Sequence, residues 1–189
     1  GYLLGGNSNS GIGGNKSEDN RDPSGATPDY WIVKIDSAGN VLWDKTTGGS
    51  FFEDLTELYQ TNDGGYFLAG SSMSNISGEK TEDCRGNNDY WVIKTDGLMN
   101  ILWQKTIGGL HTDNLHSTLQ TGDGGFILTG SSFSDATGDK TEHRIGGVDY
   151  WIVKTDSTGN IQWQNTIGGT VDDEARAVLQ SPDGGYIFG

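Results

Sequence analysis

With 12 Lys and Arg against 26 Asp and Glu in 189 residues, the chain carries a formal charge of -14. That field repels phosphate backbones and anionic headgroups, so neither nucleic acid nor a membrane surface is an expected partner. Thirty-one Gly, 6 Trp and 7 Tyr beside only 3 Pro point to short aromatic strands and tight turns rather than disorder or collagen. The single cysteine, Cys84, excludes an internal disulfide, and no apolar run is long enough to span a bilayer.

The chain opens on Gly1-Tyr2-Leu3-Leu4-Gly5, an apolar phrase that returns at Gly65-Tyr66-Phe67-Leu68-Ala69, Gly125-Phe126-Ile127-Leu128-Thr129 and Gly185-Tyr186-Ile187-Phe188-Gly189. The Asp123-Gly124 turn signal stands before the third of these and Pro182-Asp183-Gly184 before the last. A polar, glycine-bearing loop follows each complete opening phrase. Then comes an aromatic and β-branched strand: Asp29-Tyr30-Trp31-Ile32-Val33-Lys34, Asp89-Tyr90-Trp91-Val92-Ile93-Lys94 and Asp149-Tyr150-Trp151-Ile152-Val153-Lys154. Asp156 to Asn160 reads as a hairpin turn, with Gly159 suited to positive φ. Ile161, Trp163 and Ile167 then mark one face of an alternating strand that ends at Gly168-Gly169. A last strand is expected from Ala175 to Ser181. The acidic start of that segment, Asp172-Asp173-Glu174, also suits a helix, but its counterpart Asp113 to Leu119 holds Ser and Thr and favours a strand.

Four antiparallel strands recurring every sixty or so residues predict an all-β fold, a β-propeller with blades at residues 1–64, 65–124 and 125–184 and the start of a fourth at 185–189. A β-solenoid or a row of small sandwiches is the alternative. Propellers use about four to eight blades, so three require more blades from a longer parent chain, or association between chains. Opening and closing within a unit reads as a piece of such an array.

The phrases Gly138-Asp139-Lys140-Thr141-Glu142, Asp149 to Asp156, Gly159 to Gln164 and Thr166 to Gly169 resemble the repeats of large secreted proteins of gram-negative bacteria exported by the type IX secretion system. The likeness runs through essentially the whole chain. It implies propeller arrays, export and surface display, and no particular reaction. The first unit departs from the pattern, with Asn15 where the others have Glu79 or Asp139, and with an insert from Asp22 to Pro28.

Among candidate functional groups, the recurring Trp31, Trp91 and Trp151, with Trp43, Trp103 and Trp163, suit either sugar stacking or the core between blades; their strand positions favour the core. The loop Ser74 to Glu82 keeps its polar residues at Ser134 to Glu142, and more weakly at Ser10 to Glu18. Its carboxylates Glu79, Glu82, Asp139 and Glu142 form a candidate Ca²⁺ site, since calcium takes oxygen ligands, although EF-hand spacing is missing. Asp36 to Asn40 reads as a hairpin turn. His111, His116 and His143 fall at unmatched positions, His111 and His116 on opposite faces of an extended strand, and no nucleophile or zinc motif surrounds them. Cys84 reads as incidental.

The expected function is therefore non-enzymatic. It is that of an adhesion, scaffold or binding module on a secreted or outer-surface protein, with a protein or glycan partner and no cofactor other than calcium. The alternative is a carbohydrate-active enzyme or lectin-like glycan binder whose site lies in the loops or elsewhere in the parent.

Overall fold

A computed structural model describes all residues from Gly1 to Gly189. The first sheet holds β1 (Tyr2–Ser8), β2 (Asp29–Ile35) and β3 (Val41–Thr47). The second holds β4 (Glu53–Gln60), β5 (Tyr66–Ser72), β6 (Asp89–Thr95) and β7 (Ile101–Ile107). The third repeats it with β8 (Asp113–Gln120), β9 (Phe126–Ser132), β10 (Asp149–Thr155) and β11 (Ile161–Ile167), and β12 (Val178–Gln180) pairs with β13 (Tyr186–Phe188) in the fourth. Every neighbouring pair is antiparallel. The chain is all-β, and the helix considered at Asp172 does not form.

The sheets are cut one strand away from the sequence units. The expected unit 65–124 contains β5, β6 and β7 together with β8, yet β8 belongs to the next sheet. The turns explain this. Gly64, Gly124 and Gly184 adopt φ of 84°, 82° and 89° in tight hairpins closed by Thr61, Thr121 and Ser181, so the strand before each turn must pair with the strand after it.

Successive sheets lie face on face. In β6, Tyr90 and Val92 point to the third sheet and pack with Leu115, Phe126, Leu128 and Trp151, while Trp91 and Ile93 point to the first sheet and pack with Tyr30 and Ile32. Strands buried on both faces explain why these segments read as nearly continuous apolar runs. Ile127 and Ile152 carry the packing on to Val178 of the fourth sheet. The first strand of each sheet touches that of the next, β4 against β8 and β8 against β12.

Candidate functional site

The sheet junctions concentrate the chemistry. Each Gly-Gly pair, Gly48-Gly49 and Gly108-Gly109, runs between two acids from adjacent sheets. A Cβ on Gly48 or Gly108 would lie 1.9 Å from Asp29 Oδ1 or Asp89 Oδ1, respectively, so no larger residue fits without displacing a buried carboxylate. Gly49 N–H donates to Glu53 Oε2 at 2.9 Å and Gly109 N–H to Asp113 Oδ2 at 2.7 Å. On the other side, Asp29 and Asp89 accept the main-chain N–H of Arg21 and Arg85, both at 2.5 Å. The third junction repeats the set with Asp149, Gly169 and Asp173.

Asp29, Glu53, Asp89 and Asp113 are all 0% exposed, and burial pushes each upward in pKa, Glu53 to about 7 and Asp89 to about 6. One oxygen each of Asp29, Asp89 and Asp113 accepts no hydrogen bond. These acids are buried where sheets meet and fasten one sheet to the next. Sequence reading passed over Glu53, Asp113 and Asp173. The available signal was an acid four residues beyond each of Gly49, Gly109 and Gly169, where the third strand of a unit ends.

The candidate calcium ligands are placed differently. Glu79 accepts from Gly48 N–H at 3.1 Å and from Arg21 Nε at 3.0 Å, both in the first sheet's unit. Asp139 takes the same position against Gly108 N–H and Arg85, at 3.2 Å each. Glu82 and Glu142 instead bind their own sheets, accepting from Thr106 N–H at 2.8 Å and Thr166 N–H at 2.5 Å. The four therefore form two kinds of tie at two junctions, and no group of three or more His, Cys, Asp or Glu is arranged to hold a metal ion. Lys16, Lys80 and Lys140 from the same loops are buried, which lowers their pKa. Lys80 donates to Thr106 and lies 5.6 Å from the Trp91 ring centroid.

Trp91 and Trp151 are 0% exposed and lie in the cores between sheets. Each stacks obliquely on a tyrosine of the preceding sheet, Tyr30–Trp91 at 5.0 Å and Tyr90–Trp151 at 5.1 Å between centroids. Trp103 packs on Phe126 and donates to Ser157 C=O, while Trp43 and Trp163 remain partly exposed. Asp36 closes its hairpin by accepting from Ala38 and Asn40. His116 is half-buried against Ser131, at 3.1 Å, on a bulge of β8; His111 and His143 are exposed. Cys84 donates to Ser72 C=O, and burial raises its thiol to about 12. No helix is long and apolar enough to cross a membrane.

No family model matches the chain. It is similar to the regulatory protein FlaEY of Caulobacter vibrioides, 26% identical over 152 residues, a match covering 78% of this chain and 16% of FlaEY. The chain thus spans about a sixth of the length of the curated relative it matches.

Proposed function

We propose that the sheets are blades of a β-propeller and that the chain is a non-enzymatic repeat segment, a binding, adhesion or scaffold module of a secreted or surface-displayed bacterial protein. One observation carries this reading: the same acids, glycines, arginines and aromatic pairs recur at successive junctions and are consumed in joining sheets. Contact of β4 with β8 and of β8 with β12 suits inner strands gathered about one axis. The repeated residues then build the array, and recognition falls to the residues that vary between units. Resemblance to type IX-exported repeats supports export. The match to one stretch of the much longer FlaEY supports a module set within a larger protein. Closure to about four to eight blades takes further units from the same chain or from associated chains.

Protease shaving of intact cells, with assays of the full protein on polymeric glycans and peptides, tests the reading. Expected are cleavage of the protein on unbroken cells and no turnover of either polymer class. Full protection of the protein, or turnover abolished by one carboxylate substitution, sinks it.

A further inference from the structure

One junction carries polar groups that stacking does not use. A pocket of about 340 Å³ between the second and third sheets is lined by Asn87, His111, Thr112, Phe133 and Arg144. The repeat does not supply this lining. One unit earlier, the positions of His111, Thr112, Phe133 and Arg144 hold Phe51, Phe52, Met73 and Cys84. One unit later, Gly147 and Val171 stand where Asn87 and His111 do. The first two junctions share the links made by Met73 and Phe133 N–H and by Phe51 and His111 N–H despite these exchanges, so the side chains of the lining are surplus to those links.

The walls are held by main-chain bonds. Asn87 N–H donates to His111 C=O at 3.2 Å and Phe133 N–H to Thr112 C=O at 3.0 Å, while His111 N–H donates to Ser134 Oγ at 3.0 Å. The amide of Asn87, the ring of His111 and the hydroxyl of Thr112 are left for a ligand. Arg144 keeps only a long contact with Asp135, 3.7 Å, and its side chain is 43% exposed. Phe133 offers a ring that is 42% exposed. A flat apolar face beside donors and acceptors fixed on a rigid frame matches a pyranose, which has apolar ring faces and an equatorial rim of hydroxyls. The charge of -14 works against uronic and sialic acids at long range.

We propose that this pocket binds a neutral hexose, alone or as a residue of a surface glycan. The proposal rests on the binding-module reading above but not on ring closure. Saturation-transfer NMR with methyl glucoside, galactoside, mannoside and glucuronide tests it on the intact chain. Transfer to the ring protons of at least one neutral hexoside is expected. Phe133→Ala should abolish it and Arg144→Gln should weaken affinity about tenfold, while Met73→Ala, the position that matches Phe133 at the first junction, should leave it unchanged. Arg144 is surface-held, so its variant reports on binding even where Phe133→Ala disturbs packing. Silence from all three neutral hexosides, transfer to the glucuronide alone, or undiminished signal in both pocket variants overturns the assignment. Hydrolysis of a bound hexoside would refute the non-enzymatic reading while still supporting the pocket.

Discussion

A carboxyl group sealed between two sheets destabilises the fold unless it keeps its proton or finds charged partners. Burial pushes Glu53 up to about 7, against 4.5 for an ordinary glutamate. Between those values the folded chain holds a proton that the unfolded chain has released, so stability falls as pH rises through the window. At one pKa unit per 1.36 kcal/mol the effect reaches ~3 kcal/mol. Lys16, Arg21 and Lys80 are the cations facing this cluster, and Asp29, Tyr30 and Cys84 the other titrating groups. Urea midpoints measured from about pH 5 to about pH 8 should decline, and Glu53→Gln should flatten the decline and be the more stable chain at the alkaline end. An unchanged slope in the variant would reject the proton held on Glu53 in this window. None of this could be read from Glu53 alone. Its partner Asp29 lies in the preceding sheet, and in one dimension both look like solvated surface acids, whereas the large aromatic residues declare their burial by type.

At the scale of elements, strands and hairpins were legible because period-two alternation and Asp-Gly turns are local signals. The grouping of strands into sheets was less so, since a repeat can be cut at any phase; the hairpins at Gly64, Gly124 and Gly184 fix it. The polar loop kept its letters for mechanical reasons. Glu79 and Asp139 each join an arginine and a glycine N–H of the preceding sheet, whereas Glu82 and Glu142 pin the loop to the last strand of their own sheet. Because protein donors already serve each carboxylate, excess calcium or a chelator should leave the thermal midpoint unchanged. A calcium-dependent rise of several degrees, lost in Glu82→Gln or Asp139→Asn, would establish a calcium site on these carboxylates. Without metal, Asp139→Ala should cost about 1 kcal/mol in a denaturation experiment, the scale of a partly exposed ion pair plus one main-chain hydrogen bond.

For the whole molecule, the same residue in successive units meets different surroundings, and that difference tests whether stacking is the source of stability. Trp31 and Trp91 occupy equivalent strand positions and make equivalent indole bonds, to Asp44 Oδ2 at 2.9 Å and Gln104 Oε1 at 3.0 Å. Trp91 is 0% exposed beneath Tyr30 of the neighbouring sheet. Trp31 borders an apolar recess of about 360 Å³ with Leu4, Val33, Ile35 and Val41. Replacing each by alanine removes one indole bond, to a carboxylate at Trp31 and to a neutral amide at Trp91, so a larger cost at Trp91 comes from packing between sheets, with the Lys80 contact included in it. Trp91→Ala should destabilise by about 3–5 kcal/mol, the cost of a large ring lost from a core. Trp31→Ala should cost roughly 1 kcal/mol, mostly the indole bond. Equal costs in dilute solution would mean that each sheet is stabilised within itself and that stacking adds little. If instead the gap closes only as protein concentration rises, another sheet has covered Trp31, as ring closure between chains requires. The repeat announces that units stack, but not which faces remain open, because openness belongs to the position of a unit in the array and not to its residues.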